Sequence, residues 1–160
     1  MFGIIGCKDQ KVIWTKKEHM SYDSFIFSLS NMGSEYSMKF TDSDSVFSQV
    51  RFPHPTKEYY CIIKSEDKIV LDSLIDNLHW SLYDTVNANY NVSDGVAMKF
   101  LLTKKNKTNW VYFYGLQNEY MYPKELRDLF NWVGNYKNSQ EFYTMKNTHD
   151  YGNLWGVKAP

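Results

Sequence analysis

Apolar and polar residues alternate in short runs between residues 24 and 64. Side chains two apart on a strand point to the same face of a sheet, so this alternation predicts strands with one buried face. The alternating apolar positions are Phe25, Phe27, Leu29, Tyr36, Met38, Phe40, Val46, Val50 and Phe52. Polar turns at residues 31–34 and 41–45 separate the runs, and residues 59–64 add a strand that is apolar at both parities. The pattern predicts an antiparallel meander.

Two later segments change to a spacing of three and four residues, which predicts amphipathic helices. The first apolar stripe consists of Leu71, Leu74, Ile75 and Leu78. We expect a helix over residues 66–78, capped by Ser65 and carrying Glu66 and Asp67 in its first turn. The second stripe consists of Leu126, Leu129, Phe130 and Val133. It predicts a helix over residues 123–137, with Pro123 at its first position.

The remaining segments complete one fold. Residues 96–103 and 110–114 predict a hairpin, residues 80–86 fit helix or strand equally, and residues 87–95 predict a loop. We therefore expect one domain, 1–160, with an α+β fold: a single mostly antiparallel sheet of about 5–7 strands with two amphipathic helices packed on one face. Residues 139–160 form an aromatic-rich tail that we expect to pack on this body.

The charge balance removes some classes of partner. The chain has 18 basic and 18 acidic residues, so it lacks the basic footprint of a nucleic-acid binder, and no nucleic-acid partner is expected. No run reaches the roughly 18 apolar residues of a membrane span. Membrane association is expected only through a lipid anchor.

The first residues permit two interpretations. Ile4, Ile5, Gly6 and Cys7 resemble a bacterial lipobox, in which the cysteine is acylated; residues 1–10 would then be a signal remnant and tether. That interpretation requires an apolar signal segment extending upstream of Met1. Alternatively, residues 2–7 and 11–15 form a hairpin that begins with the first strand. The choice decides between the cell envelope and the cytoplasm.

Little in the sequence predicts catalysis. The four histidines, His19, His54, His79 and His149, have no metal-ligand spacing, so no catalytic residue, metal or cofactor is expected. Residues 42–44 resemble the start of a calcium loop, but Phe47 and Pro53 occupy the positions that require glycine and glutamate.

Aromatic residues make up 18% of the chain, and three of them share one face of a predicted strand: Trp110, Tyr112 and Tyr114. Together with Trp80 and Tyr83, they are the candidate partner-binding residues, because such rings give a large contact area with few rotors to immobilise. The alternative is that they pack beneath the aromatic tail.

The Ile-Gly-Cys start, the element order over residues 65–133, and the segments Tyr-Phe-Tyr-Gly (112–115) and Pro-Lys-Glu-Leu (123–126) resemble small bacterial envelope lipoproteins of unknown function. The resemblance implies export, lipidation at Cys7 and a soluble domain facing the periplasm or the outside. We expect a non-enzymatic binding protein whose partner is another protein, of the toxin-immunity kind.

Two alternatives remain open: a carbohydrate-binding envelope module and a small hydrolase whose site is assembled only by the fold. A convex surface without a pocket would favour the protein binder. A shallow groove floored by Trp110 or Trp80 would favour a sugar. A deep cleft joining His79 or His149 to a carboxylate would favour the hydrolase.

Overall fold

The computed structural model describes residues 22–115 and 122–152. These residues form eight strands and two helices, which are β1 (Ser24–Asn31), β2 (Ser34–Thr41), β3 (Ser45–Phe52), β4 (Lys57–Ile62), α1 (Ser65–Asp76), β5 (Val86–Ala88), β6 (Ala97–Lys104), β7 (Lys107–Tyr114), α2 (Lys124–Ser139) and β8 (Tyr143–Met145). A short 3₁₀ helix, Trp80–Leu82, precedes β5. The predicted α+β fold with one sheet and two helices is confirmed. The sheet has eight strands rather than five to seven.

The strand order in the sheet is β5-β7-β6-β1-β2-β3-β4-β8. The predicted meander is confirmed, since β1 to β4 are sequential antiparallel neighbours. All pairings are antiparallel except that of β5 with β7. The two edge strands, β5 and β8, have three residues each, too few to give an alternation that the sequence could reveal.

The main core lies between one face of the sheet and the two helices. Phe27 is fully buried near its centre, with ring centroids 5.1 Å from Phe100 on β6 and 5.7 Å from Phe130 on α2. The predicted helix stripes point into this core through Leu71, Ile75, Leu78, Leu126, Leu129 and Val133. Truncating a buried aromatic such as Phe27 to alanine would cost about 3–5 kcal/mol.

The helix starts differ slightly from expectation. Ser65 is the first helical residue of α1, and the cap position belongs to Lys64, whose side chain makes no capping hydrogen bond. The expectation that Ser65 caps this helix was therefore wrong. Pro123 occupies the N-cap position of α2, one residue before the helix begins at Lys124, rather than the first helical position. The helix also runs two residues further than expected, and Tyr136 adds a buried position to its stripe.

The sheet face away from the helices is partly covered by the tail. The ring of His149 stacks on Phe47 of β3 with centroids 3.8 Å apart, and the Tyr151 hydroxyl donates a 2.7 Å hydrogen bond to Glu58 Oε2 of β4. The Lys39 ammonium of β2 donates to the Asp150 carbonyl. Residues 149–152 therefore cross β2 to β4. The predictions for residues 1–10, Cys7 included, and for residues 153–160 fall outside the described residues.

Candidate ligand-binding groove

A groove of about 510 Å³ opens on the sheet face away from the helices. We call it the tyrosine groove, and its lining residues are Ser30, Asn31, Met32, Tyr90, Val92, Ser93, Asp94, Gly95, Tyr112 and Tyr114. Its size lies within the range of small-molecule pockets, about 300–1,000 Å³. It lies over β1 and β7 and the Ala97 end of β6, whereas the described tail residues cross β2 to β4 and reach β6 at Leu101, 3.4 Å from where a Cβ on Gly152 would lie.

The depression follows from side-chain size along one cross-strand row. Ala97 of β6 pairs with Ser30 of β1 on one side and with Tyr114 of β7 on the other. Cross-strand neighbours have Cβ atoms only about 5 Å apart, so two small side chains beside a tyrosine leave a step in the surface. Ala97 is fully buried at the base of this step. The row therefore places Tyr114 as a wall of the groove.

Residues 89–95 form the second wall, and two glycines hold them against the end of β7. Gly115 has φ +66°, and a Cβ there would lie 2.5 Å from the carbonyl oxygen of Asn89. A Cβ on Gly95 would lie 2.5 Å from the Cα of Gly115. Only glycine permits such close backbone contact. The Tyr114 hydroxyl completes the attachment by donating to the carbonyls of Val92, at 2.9 Å, and of Ser93, at 3.1 Å.

Three tyrosine rings line the groove. Tyr90 stacks on Tyr114 with ring centroids 6.1 Å apart and an interplanar angle of 29°. Tyr112 is buried beside them, and this burial, together with the neighbouring Tyr90 and Tyr114, raises the pKa of its phenol. The Tyr112 phenol therefore stays protonated and uncharged at physiological pH, and its ring forms part of the bottom of the groove.

Trp110 continues the same face of β7 beyond the groove. The Lys99 ammonium lies 5.0 Å from the centroid of the Trp110 ring, within the range of a cation–π contact. Burial lowers the pKa of Lys99. Trp110 packs against Ala97 and Tyr112, so it supports the groove from one end without lining it.

The structure divides the five predicted partner-binding residues into two groups. Tyr112 and Tyr114 line the tyrosine groove, with Trp110 adjacent. Trp80 and Tyr83 pack against the main core instead, with their rings 6.2 Å apart in an edge-on contact. The two groups therefore belong to different hydrophobic clusters.

Sequence reasoning predicted only Tyr112 and Tyr114 among the ten groove residues, and the eight that it missed include Met32, Tyr90 and Asp94. Each of these three lies in a turn or loop, where alternation carries no information about facing. The available signal was Tyr90 itself, an isolated large ring among Asn, Asp and Gly. An aromatic residue in such a polar loop indicates contact with something other than its sequence neighbours.

A row of polar side chains crosses the same sheet face near the tail, and its members bond one another. Gln49 donates to Glu58 Oε1, and Glu58 Oε2 accepts from Tyr151. Arg51 donates to Glu35, to Gln49 and to the Ser37 hydroxyl. These groups satisfy one another, so the row stabilises the sheet without leaving an activated group for chemistry.

The other candidate chemistry does not converge on the groove. Cys61 is a buried free thiol 3.5 Å from the Tyr136 hydroxyl, and burial raises its pKa, which disfavours the reactive thiolate. Neither His79 nor His149 lines the groove. Within residues 22–115 and 122–152, no three His, Cys, Asp or Glu side chains are grouped as a metal site.

A second cavity, of about 40 Å³, lies between β6 and α2 and is too small for a ligand beyond a water or two. The tyrosine groove is therefore the better candidate site.

Neither helix of the described chain is long and apolar enough to span a membrane. The chain matches no known protein-family model and no curated protein.

Proposed function

We propose that this chain is a non-enzymatic binding protein that uses the tyrosine groove to engage another protein. The composition of the lining carries the proposal. Tyrosine, serine, asparagine and glycine dominate it, as they dominate antibody paratopes, where rigid rings provide contact area and small polar groups provide adaptable hydrogen bonds. Lysine and glutamate, which are depleted from interface cores, are absent from the lining that the structure describes.

Two side chains extend this surface toward a partner. Met32, at the tip of the β1–β2 turn, is 77% exposed, and Tyr90 is 49% exposed. Methionine and tyrosine are both enriched at protein interfaces, and methionine adapts its shape to irregular partners. Such residues next to a concave site support binding to a protein rather than simple solvation.

The walls of the groove are held in place before any partner arrives. Tyr114 is fixed by its two hydrogen bonds to the loop, and the loop by the Gly95–Gly115 contact. A preformed site loses less conformational entropy on binding, which raises affinity without new contacts. This supports a masking role of the toxin-immunity kind, in which one rigid face covers a site on the partner.

Carbohydrate binding is the second candidate. The exposed ring of Tyr90 lies beside Ser93 and Asp94 in the same groove, and a sugar uses an aromatic face together with such hydrogen-bonding groups. None of the ten described lining residues is a tryptophan, although Trp110 lies at the end of the groove. The protein partner is favoured because Met32, at the rim of the groove and 77% exposed, offers a large apolar contact of a kind that a sugar does not need.

Photo-crosslinking in the cell of origin tests the proposal. Benzoylphenylalanine replaces Met32 in the full chain, and the matched control replaces Ile69, which is 56% exposed on α1. We expect Met32 to crosslink to one partner protein and Ile69 not to do so. The same adduct should be lost when Tyr90→Ala is added, because that substitution removes a groove ring without touching the core.

Other outcomes would overturn the proposal. An adduct formed within the chain, or between two copies of it, would show that the groove is filled by this protein itself. An adduct that survives Tyr90→Ala would place the partner elsewhere. Glycan-array binding that Tyr90→Ala abolishes, with no protein adduct, would favour the carbohydrate candidate.

The envelope location belongs to the same proposal and has its own test. Acylation of Cys7 would anchor the domain and present the groove to partners outside the cytoplasm. Metabolic labelling with an alkyne-bearing palmitate should mark the wild-type protein and leave Cys7→Ser unlabelled. Equal absence of label from both proteins would refute the lipid anchor and leave the binding function untouched.

A further inference from the structure

The tyrosine groove has one charged lining residue at neutral pH, Asp94, among the ten that the structure describes. We propose that the partner inserts an arginine side chain into the groove, stacked on the Tyr90–Tyr114 pair and hydrogen-bonded to the Asp94 carboxylate. This inference rests on the proposed protein-binding function and names the chemistry of the inserted group.

The Asp94 carboxylate has acceptor capacity left for such a donor. Its one hydrogen bond within the described chain comes from the Ser93 hydroxyl, at 3.5 Å, the outer limit of such a bond. None of the ion pairs within residues 22–115 and 122–152 includes it. Glu35 and Glu58, on the same sheet face, already bond to Arg51 and to Gln49 and Tyr151. A cation arriving at this face therefore finds Asp94 available.

The shape of the groove selects arginine over lysine. A guanidinium is flat, so it can lie on a tyrosine ring while its edge donates two parallel hydrogen bonds to a carboxylate. Tyr90 offers an exposed ring for this purpose, and Tyr114 stacks behind it with a 29° angle between the planes. A lysine ammonium is more strongly hydrated and can make only point contacts.

The position of Asp94 determines where along the groove the arginine lies. Ala97, at the base of the groove, pairs with Tyr114, and the Tyr114 hydroxyl bonds to the carbonyls of Val92 and Ser93. The inserted guanidinium therefore lies at the Tyr114 end, where residues 92–95 form the wall.

A phage library of random peptides, panned on the full chain, provides the probe. Binders are sorted by whether they lose affinity for Tyr90→Ala. The matched control is Tyr143→Ala, which removes a 53% exposed tyrosine that also packs against another tyrosine, Tyr60, at the opposite edge of the sheet. We expect the groove-dependent peptides to be enriched in arginine and to bind Tyr143→Ala as they bind the wild type.

Charge is then tested on both sides of the contact. We expect Asp94→Asn to weaken the groove-dependent peptides by about five- to tenfold, whereas Glu141→Gln, a neutralisation on the exposed segment after α2, leaves them unchanged. Replacing the peptide arginine with citrulline should weaken binding to the wild-type protein by about the same factor. The same replacement should not weaken binding to Asp94→Asn any further. Lysine in place of that arginine should recover only part of the affinity.

The outcomes separate this inference from the function on which it rests. Groove-dependent binders without arginine, or binders indifferent to Asp94→Asn, would refute the arginine site and leave the binding groove standing. Failure to obtain any peptide that distinguishes Tyr90→Ala from the wild type would refute both. Thermal melts of each variant show whether a loss of binding reflects a loss of fold.

Discussion

Alanine substitution at two glycines should change stability in opposite directions. Gly115 ends β7 with φ +66°, and a Cβ there would meet the Asn89 carbonyl oxygen at 2.5 Å. Gly134 lies within α2, and a Cβ there meets nothing within 4 Å. The same added methyl group is therefore strained at one position and free at the other.

The magnitudes follow from these surroundings. Holding alanine in the left-handed region costs about 1–2 kcal/mol, and displacing the Asn89 carbonyl weakens loop contacts worth about another 1 kcal/mol. Gly115→Ala should therefore lower the free energy of unfolding by about 2–3 kcal/mol. Gly134→Ala should raise it by about 0.5–1 kcal/mol, because alanine has less conformational entropy to lose in a helix.

Urea unfolding followed by circular dichroism measures both changes in one series. Gly95→Ala separates the two causes, since a Cβ there meets the Gly115 Cα at 2.5 Å with no positive φ involved. The decrease in the free energy of unfolding of Gly95→Ala therefore measures the effect of a close backbone contact alone. If Gly115→Ala unfolds within 0.5 kcal/mol of the wild type, or Gly134→Ala is the more destabilising, the account of this loop is wrong.

The buried phenols and thiol give three further tests. Among the tyrosines whose pKa is raised by burial, the largest shifts are those of Tyr22, Tyr36, Tyr136 and Tyr151, and burial raises the pKa of Tyr36 to about 12. Below pH 10 the folded and the unfolded chain both keep these phenol protons. Above pH 10 the unfolded chain releases them, whereas the folded chain still holds them. The contribution of these tyrosines to the free energy of unfolding, measured with urea as the difference between the wild type and the Tyr→Phe variants, should therefore be constant below pH 10 and fall above it by up to about 1.4 kcal/mol per pH unit for each tyrosine. Tyr151→Phe should cost about 1–3 kcal/mol, because Glu58, only 7% exposed, loses a donor; a change below 0.5 kcal/mol would show that the contact contributes nothing. In the Cys7→Ser variant, where Cys61 is the remaining thiol, Cys61 should react with Ellman's reagent only at the rate of unfolding, and immediate labelling of that native variant would contradict its burial.

The sequence predicted the helix-covered side of the fold because local periodicity carries that information. Phe25, Phe27 and Leu29 alternate on β1 and are all buried. The four-residue stripe from Leu71 to Leu78 likewise identified the buried face of α1, although the helix ends at Asp76, so that Leu78 is buried just beyond it. Such patterns depend on residues near one another in the chain, so one sequence is enough to read them.

The tyrosine groove could not be predicted in the same way. Alternation showed that Trp110, Tyr112 and Tyr114 share a face, and the predicted hairpin placed residues 96–103 beside them, but neither pattern showed that β1 lies on the far side of that strand. The row through Ala97 exists because β6 pairs with both β1 and β7, and β1 lies more than 60 residues earlier in the chain. The grouping of Trp80 and Tyr83 with the binding residues rested on residue type alone, and these rings pack on the helix side.

The two halves of the sheet face that points away from the helices should respond differently to substitution. Over β2 to β4, the polar side chains of the sheet bond to one another and to the tail. Arg51 donates to Glu35, and Tyr151 of the tail donates to Glu58. Over β1, β6 and β7, the corresponding rows have small side chains at Ser30 and Ala97, and the phenols beside them face an open groove. Removing a donor from the first half leaves a buried acceptor unpaired, so a change there acts on stability. A change at an exposed groove ring such as Tyr90 breaks no buried bond, and its effect should therefore appear in binding while the free energy of unfolding stays near that of the wild type.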